Sequence, residues 1–522
     1  MKAILVSGRG VCLALIVALL AALAPAARSG AAEPSHYFVI KVVDEQTGRG
    51  VPLVELETVN NIRYWTDSGG LAAIYEPGLM GLKVFFKVKS QGYEFPADGF
   101  GMRGKALDLK EGGEATLKIK RLNIAERLYR VTGGGIYRDT ILAGRPAPLA
   151  EPLLDGQVFG QDTVQSIIYR GKIYWFWGDT NRPSYPLGHF GTAGAVSDLP
   201  GKGGLDPSVG INLTYFVGKD GFSRPMCDVP GKGMKWIDAM MLLKDEQGQE
   251  RLLSHYEIHK SLGEVTERGL IIYDDKAEAF EPFMKIPLDA PLVPAGHPFR
   301  YTAGGTEYYY FPTPYATVRV RADMASVKDL STYEAFTCLA AGSPYEKGNS
   351  RLDRDAAGKL VWGWKKATGF VNEERQRELI KSGKMKDDEA WFRIEDVETH
   401  KPVMLHGGSM TFNAFRKRWI MVAVQTFGKA SFLGEVWYTE ADTPEGPWRY
   451  ARRIVTHDRY SFYNPKHHPF FDQEGGRLIY FDGTYTTTFS REGDATPRYD
   501  YNQVMYRLDL SDPRLALPPQ AR

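Results

Sequence analysis

Apolar and polar residues alternate over short segments in the first part of the chain. Residues 37–43 are apolar and β-branched, and residues 51–57 alternate as a half-buried strand does. Clusters of turn-forming residues follow these segments, at 44–48 and 66–70. Short strands between closely spaced turns predict a small β-sandwich over residues 36–122.

After residue 155 the pattern changes to clusters of strands that recur along the chain. Each unit begins with a strand between turns and continues into a tight hairpin. Five such units of about 50–70 residues predict a five-bladed β-propeller over residues 155–510. A pair of β-sandwiches is the alternative. The predicted fold is therefore all-β, with an N-terminal sandwich followed by a propeller.

Two segments depart from this strand pattern. Residues 123–154 form a connector, in which residues 125–130 are predicted as a short helical turn. Residues 372–392 are rich in Glu, Lys and Arg, and they predict a helical insertion between the third and fourth units. That insertion is either a solvated surface helix or one wall of a binding groove.

The N-terminal residues 1–31 have the pattern of a secretory signal peptide. Lys2 and Arg9 precede an apolar run at 11–23, and small residues follow it. The run is shorter than the roughly 20 residues that span a bilayer. We therefore expect a secreted or periplasmic protein whose mature chain has no membrane span, and an uncleaved anchor is the alternative.

Composition narrows the classes of partner. The 65 basic and 63 acidic residues give a net charge of +2 without a basic cluster, which excludes a typical nucleic-acid binder. Cys12 lies in the signal segment, whereas Cys227 and Cys338 remain and leave pairing open. Aromatic residues make up 12% of the chain, which suits both β-strands and the stacking of sugar rings.

Several carboxylates occupy places where the inner strands of a propeller converge on one funnel. Glycoside hydrolysis needs two carboxyl groups, of which one protonates the leaving oxygen and the other activates water or attacks carbon. Burial and mutual repulsion separate the pKa values of such a pair and so separate the roles. The candidate catalytic residues are Asp162, Asp179, Asp238 and Glu257.

Other residues at similar places are candidates for binding a substrate. Trp177 and Trp236 offer aromatic faces, and the polar side chains offer hydrogen bonds to hydroxyl or carboxylate groups. No Cys/His spacing or Ca²⁺ loop indicates a metal, so no cofactor is predicted, and a central Ca²⁺ stays open as an alternative. The polar candidates are His255, Arg300, His406, Glu435 and His467.

Two resemblances add to this interpretation. Residues 42–52 (V-V-D-E-Q-T-G-R-G-V-P), followed by T-D-S-G-G at 66–70, resemble carboxypeptidase-regulatory, transthyretin-like modules, which imply a spacer or docking role. The remainder resembles the five-bladed glycosidase superfamily of arabinanases, xylosidases and fructosidases, with most similarity to poorly characterised propellers related to endo-D-arabinanases. The supporting motifs are G-Q-D-T at 160–163, Y-W-F-W-G-D-T at 174–180, T-P-E-G-P-W at 443–448 and N-P-K-H-H-P at 464–469.

The glycosidase resemblance implies roles for individual residues. Asp162 matches the general base of the first inner strand, and Asp238 matches a second Asp that orients and tunes the pKa. Residues 299–301 (Phe-Arg-Tyr) lack the carboxylate expected of a general acid in the third unit. Either the acid is then Asp179, Glu257 or Glu435, or the site is not hydrolytic.

We therefore expect an exported glycoside hydrolase that acts on a polysaccharide or oligosaccharide. A polysaccharide lyase is the first alternative, with His255 and Tyr256 removing a proton and Arg300 neutralising a uronate. A propeller that binds glycans without catalysis is the second, because a fold does not fix a function.

Overall fold

The computed structural model describes residues 36–189, 191–490 and 494–519. Within these ranges the chain is nearly all β, with a few short helices. The predicted signal peptide at 1–31 lies outside the described residues. No helix in the described part of the chain is long and apolar enough to cross a membrane.

The N-terminal module consists of two four-stranded sheets that enclose one apolar cluster. The strand orders are β4-β1-β8-β6 and β3-β2-β5-β7. Ile40 and Leu117 of the first sheet pack with Leu56 and Phe86 of the second. Its likeness to transthyretin-like modules stays a prediction. The strands are β1 (Phe38–Asp44), β2 (Glu55–Thr58), β3 (Arg63–Trp65), β4 (Leu71–Ile74), β5 (Lys83–Lys89), β6 (Tyr93–Glu94), β7 (Gly104–Asp108) and β8 (Glu114–Arg121).

The connector contains a strand where the sequence predicted a helical turn. Strand β9 (Glu126–Arg130) has every residue buried and pairs with the last strand of the chain, so the prediction of a turn at 125–130 was wrong. Edge pairing with a sheet far along the sequence overrides the weak helical preference of this segment. A short helix, α1 (Arg138–Leu142), follows.

Sheets I and II come next. Sheet I has the order β11-β12-β15-β16, and a small three-stranded sheet, β10-β13-β14, adjoins it in sequence. Sheet II is a meander, β17-β18-β19-β20. The strands are β10 (Gly160–Gln161), β11 (Gln165–Tyr169), β12 (Lys172–Trp177), β13 (Thr180–Arg182), β14 (Tyr185–His189), β15 (Ala193–Asp198), β16 (Thr214–Tyr215), β17 (Met234–Lys244), β18 (Glu250–Ser261), β19 (Glu264–Asp274) and β20 (Ala279–Ile286).

Sheets III and IV have five strands each, in the orders β21-β22-β23-β24-β25 and β26-β30-β29-β28-β27. Helix α2 (Met324–Lys328) connects two strands of sheet III along the sequence. Helix α3 (Glu373–Lys381) falls in the segment predicted to be a helical insertion. The strands are β21 (Phe299–Ala303), β22 (Thr306–Pro312), β23 (Ala316–Arg321), β24 (Glu334–Thr337), β25 (Gly363–Lys366), β26 (Glu395–Asp396), β27 (Leu405–Asn413), β28 (Arg418–Gln425), β29 (Val436–Ala441) and β30 (Tyr450–Val455).

Sheet V combines three strands near the C-terminus with strand β9 of the connector. Its strands are β31 (Ser461–His467), β32 (Leu478–Thr486) and β33 (Asn502–Asp509), and β9 completes it. Shared apolar clusters connect sheet I to II, II to III, III to IV, IV to V, and V back to I. This closed succession of four- and five-stranded sheets is consistent with the predicted β-propeller.

Strands in the middle of a sheet are buried on both faces, and each face packs against a different neighbouring sheet. In β28, Trp419 and Met421 pack into the cluster shared with sheet III, whereas Ile420 and Val422 pack into the cluster shared with sheet V. Successive side chains of a strand point to opposite faces, so a nearly continuous apolar run is what such a strand needs.

The N-terminal module is attached to sheet V through buried polar groups. The Arg127 guanidinium, which is 1% exposed, donates to the carbonyl oxygens of Pro52 at 3.1 Å and Gln91 at 3.2 Å. The Tyr499 hydroxyl donates to the Thr66 carbonyl at 2.7 Å. A buried guanidinium is costly unless its donors are satisfied, so these bonds fix the module against the sheet.

Both cysteines that the structure describes are free. Cys227 is buried in the cluster between sheets I and II, and Cys338 is buried in a separate cluster with Leu379 of the inserted helix. The pairing that the sequence left open therefore does not occur in this structure.

Candidate active site

A cavity of 950 Å³ opens where the inner edges of the five sheets meet. Residues in or next to one edge strand of each sheet contribute to its lining; these strands are β11, β17, β21, β27 and β31. Among the sequence-predicted residues, the lining includes Asp162, Asp179, Asp238, Glu257, Trp177, Trp236 and His406.

Local backbone conformation turns several of these side chains into the cavity. Four non-glycine residues with positive φ come directly after lining residues, at points where the strand pairing is irregular or absent. Such angles are uncommon outside glycine and cluster at functional sites, where the surrounding fold maintains them. The residues that follow Asp162, Asp238, Tyr463 and Asp500 are Thr163 (φ 45°), Ala239 (φ 49°), Asn464 (φ 51°) and Tyr501 (φ 62°).

Asp162 is held by two phenols. The Tyr463 hydroxyl donates to Asp162 Oδ2 at 2.7 Å, and Tyr501 forms a second hydrogen bond to this carboxyl. Burial and the nearby Asp179 charge raise the pKa of Asp162, the two phenols oppose the rise, and the net pKa is about 7. Asp162 therefore keeps a large protonated fraction near neutral pH.

Gly178 brings the two aspartates together. Its N–H donates to the Asp162 carbonyl at 2.8 Å, and Asp179 is the next residue. A Cβ at position 178 would lie 2.1 Å from Asp162 Oδ1. The Asp162 carboxyl thus occupies the space that only glycine leaves open.

Asp179 receives N–H donors. Trp236 Nε1 donates to Asp179 Oδ1 at 2.8 Å, and the Gly191 N–H also donates to this carboxyl. Burial nevertheless raises the pKa of Asp179 above its ordinary value. The Trp236 ring packs on His259 with the centroids 4.6 Å apart, and His259 Nε2 lies 3.0 Å from Glu257 Oε2.

Asp238 uses both carboxylate oxygens within the protein. Oδ1 lies 2.8 Å from His255 Nδ1, and Oδ2 accepts the Gly296 N–H at 2.7 Å. These contacts suit a residue that orients its neighbours. His255 itself is buried behind Asp238, outside the lining of the cavity.

Three predicted binding residues lie away from the cavity. Arg300 donates to the Tyr309 hydroxyl at 3.0 Å and to the Leu242 carbonyl. Glu435 is buried, and Arg453 donates to Glu435 Oε2 at 2.8 Å. His467 lies 2.7 Å from Asp472 Oδ1. Each has a partner within its own sheet or the next, and we do not retain these residues in the proposed site.

The two tryptophans differ in what they present. Trp177 is 1% exposed and stacks on Trp175 with the ring planes 6° apart, so its faces are covered by protein. Trp236 is only partly buried and lies at the cavity wall. The stacking surface predicted from the sequence is therefore reduced to Trp236.

The residues of the lyase alternative do not converge. The Tyr256 hydroxyl donates to Glu267 at 2.8 Å, on the face of sheet II that packs toward sheet I. His255 and Arg300 have the partners described above. No observation therefore favours a lyase site at these residues.

Sequence reasoning missed Tyr463 and Tyr501. Both follow Asp162 by about 300 residues or more, and phenols in strands are usually core residues. The only available signal was position, because Tyr463 directly precedes the N-P-K-H-H-P motif at 464–469.

A second buried carboxylate lies between sheets V and I. Asp482 Oδ1 is 2.8 Å from His468 Nε2, and both side chains are fully buried. Lys466 Nζ donates to the Ser166 carbonyl at 2.9 Å, and burial lowers the pKa of Lys466 to about 7 while the Asp482 charge opposes the fall. We call Lys466, His468 and Asp482 together the Asp482 cluster.

No group of three or more His, Cys, Asp or Glu side chains within the described ranges is placed to hold a metal ion. His406 lines the cavity, and burial lowers its pKa. His297 also lines the cavity and contacts Gln165 Oε1 at 3.0 Å, and burial lowers its pKa too. Both imidazoles are therefore neutral hydrogen-bonding groups at physiological pH.

No family model matches the chain, and no curated protein matches it. Among solved structures, it is similar to an exo-β-1,3-galactanase from Phanerochaete chrysosporium solved with galactose (9% identity, 69% of this chain and 62% of the galactanase, TM-score 0.32). It is also similar to a GH43_1 enzyme from Xanthomonas citri complexed with xylose (11%, 68% and 88%, 0.32). A third is an exo-1,5-α-L-arabinanase from a bovine ruminal metagenomic library (9%, 68% and 94%, 0.33). These similarities are distant, so the function of this chain has to be argued from the site itself.

Proposed function

We propose that this protein is a glycoside hydrolase whose acid/base pair is Asp162 and Asp179. The observation that carries the proposal is the placement of these two carboxyl groups, coupled through Gly178, in the wall of a 950 Å³ cavity. Hydrolysis of a glycosidic bond requires two carboxyl groups with separated protonation behaviour.

In this proposal Asp162 is the general acid. A group with a pKa of about 7 retains its proton at neutral pH and can pass it to the leaving oxygen. This role differs from the general base that the family resemblance implies for Asp162. The Tyr463 and Tyr501 phenols hold the carboxyl in place and stabilise the carboxylate that forms when the proton leaves.

Asp179 is the general base or nucleophile of the pair. The two N–H donors from Trp236 and Gly191 stabilise its ionised form. Trp236 joins this carboxylate to the cavity wall, where its partly exposed ring is available for a sugar face. Asp238 and Glu257 complete the acidic wall, with Asp238 in an orienting role.

The architectural part of the proposal is a five-bladed propeller in which sheets I to V are the blades and β9 closes the ring. The N-terminal sandwich at 36–122 is a separate module attached to the fifth blade. We also propose export, on the strength of the N-terminal apolar run, and N-terminal sequencing of the secreted protein would test it.

The test is a screen of the purified protein on arabinan, xylan, levan and polygalacturonate. Products are measured as new reducing ends and as ultraviolet absorbance of unsaturated sugars. The proposal expects reducing ends without absorbance, and loss of these ends in Asp162→Asn and Asp179→Asn.

Asp198→Asn is the matched control, because Asp198 is an exposed carboxylate of sheet I paired with Lys172. A lyase also forms a new reducing end, so absorbance that rises together with the reducing ends would indicate a lyase instead of a hydrolase. Retained turnover in both site variants would remove Asp162 and Asp179 from the mechanism.

A further inference from the structure

Two further cavities lie between the surroundings of the candidate active site and the N-terminal module. The first has a volume of 500 Å³ and includes Phe427 and Ser490 in its lining. The second has a volume of 380 Å³ and includes Arg63 and Trp65 of the N-terminal module. Asp458 and Arg459 line both, so we call the two together the lateral groove.

The lateral groove lies next to the 950 Å³ cavity, because neighbouring residues line the two. Phe489 lines the main cavity and packs edge-on against Tyr463 with the centroids 5.1 Å apart, and the next residue, Ser490, lines the groove. Farther along, Tyr460 of the groove wall donates to Asp500 Oδ1 at 2.7 Å, and Asp500 lines the main cavity.

The groove has fixed walls. The Arg459 N–H donates to the Ala430 carbonyl at 3.0 Å, which joins the two loops of the first cavity. Gln91 Nε2 of the N-terminal module donates to the Asp458 carbonyl at 3.4 Å. The bonds of Arg127 and Tyr499 described above hold the module against sheet V, so both sides of the groove keep their separation.

Aromatic side chains are spaced along this path. Phe489 is 37% exposed at the main cavity, and Phe427 is 67% exposed in the groove and packs edge-on against Phe432. Trp65 is partly buried at the far end. Between the rings stand polar and charged groups, among them Arg63 and Asp458. Exposed apolar rings can pack on the C–H face of a sugar, and the hydrogen-bonding groups between the rings can bind its hydroxyls.

We propose that the lateral groove binds further sugar residues of a polymeric glycan whose reacting bond lies in the main cavity. The N-terminal module would then be part of the binding surface through Trp65 and Arg63. This inference rests on the proposed function for the substrate class, and it adds that the substrate is a polymer long enough to reach the module.

The test measures binding without turnover, in the full chain with Asp179→Asn. Affinity electrophoresis in native gels containing arabinan, xylan, levan or polygalacturonate gives the Kd for each polymer. For a polymer that retards the protein, adding Phe427→Ala or Arg63→Ala should lower the ratio of polymer affinity to trisaccharide affinity about fivefold each. Phe412→Ala, at a 53% exposed ring of sheet IV, is the matched control and should leave the ratio unchanged.

An unchanged ratio in both groove variants, or retardation by none of the four polymers, would overturn the inference. Because the assay does not depend on cleavage, it separates the two proposals. A lowered ratio in a protein that releases no reducing ends supports the groove and rejects hydrolysis. Cleavage together with an unchanged ratio keeps hydrolysis and rejects the groove.

Discussion

Asp162 and Asp482 are both inner carboxylates of the C-terminal region, and their surroundings differ. Asp162 lies beside another carboxylate and accepts hydrogen bonds from neutral phenols. Asp482 lies beside Lys466 and His468 and is fully buried. Asp162 therefore has another carboxyl group beside it, whereas Asp482 has two basic side chains beside it.

In the proposed function, this difference separates a reactive carboxyl group from a structural one. A buried carboxyl group next to a like charge keeps its proton to higher pH, as acid catalysis requires. A fully buried carboxyl group that is hydrogen-bonded to a neighbouring side chain holds that side chain in place. Substitution at the two positions should therefore give opposite results: loss of activity at one and loss of stability at the other.

The largest expected effect is on activity at the Asp162–Asp179 pair. Asp162→Asn and Asp179→Asn should each lower kcat about 10³-fold, because each removes a proton-transfer group. The double variant should lose little more than either single variant, since the two groups act as a unit. Rates of reducing-end release on the substrate found in the screen would measure this. Additive losses in the double variant would contradict a shared mechanism.

At the Asp482 cluster the expected loss is in stability. Asp482→Asn changes the fully buried partner of the His468 imidazole and removes the charge that opposes the lowered pKa of Lys466, so the free energy of unfolding should fall by about 3 kcal/mol. Urea unfolding followed by tryptophan fluorescence would measure it. Asp509→Asn, at an exposed carboxylate on the neighbouring strand β33, is the control, with an expected change within about 0.5 kcal/mol. An equal loss in both variants would remove the distinction.

Gly178→Ala tests the geometry of the reactive side. The added Cβ would lie 2.1 Å from Asp162 Oδ1, so the carboxyl has to move. A displacement of this size should cost about 10²-fold in kcat. Gly263→Ala is the matched control, because nothing lies within 4 Å of the added methyl group there. Full activity in Gly178→Ala would show that the position of the Asp162 carboxyl is not critical.

The sequence predicted the strands and the carboxylates of the cavity lining better than it predicted the partners of those carboxylates. Alternating and continuous apolar runs indicated the strands because their side chains follow a two-residue period. Asp162, Asp179 and Asp238 were found because strand ends in a propeller point to one axis. Tyr463 could not be found in this way, because its contact with Asp162 depends on sheet V closing onto sheet I.

The closure of the ring was also beyond local reasoning. Residues 126–130 (E-R-L-Y-R) are short and carry two arginines, a pattern that local propensity assigns to a helical turn. They form a strand because the open edge of β33 pairs with them. Arg300, Glu435 and His467 stand at strand positions similar to those of the site, and their orientation depends on register, which composition does not specify.

The raised pKa of Asp162 also predicts a dependence of stability on pH. The folded pKa of about 7 exceeds the ordinary value of 3.8, so the folded state holds a proton that the unfolded state releases between these values. Stability therefore falls as the pH rises from about 4 to 7. Asp162→Asn removes this titration and should be about 1–3 kcal/mol more stable than the unaltered protein at pH 8. Thermal unfolding at pH 5 and pH 8 would measure the difference, and equal pH slopes in the two proteins would contradict it.

The smallest expected effect is a shift of the pH profile in Tyr463→Phe. The Tyr463 hydroxyl donates to the Asp162 carboxylate and so favours the ionised form. Its removal should raise the pKa of Asp162 above about 7, and the acid then stays protonated to higher pH. The alkaline limb of kcat/KM should move upward by about one pH unit. Tyr450→Phe on sheet IV is the control and should leave the limb in place. If the acidic limb of kcat/KM moved upward in Tyr463→Phe and the alkaline limb stayed in place, Asp162 would act in its ionised form, and the general-base role that the family resemblance implies would be restored.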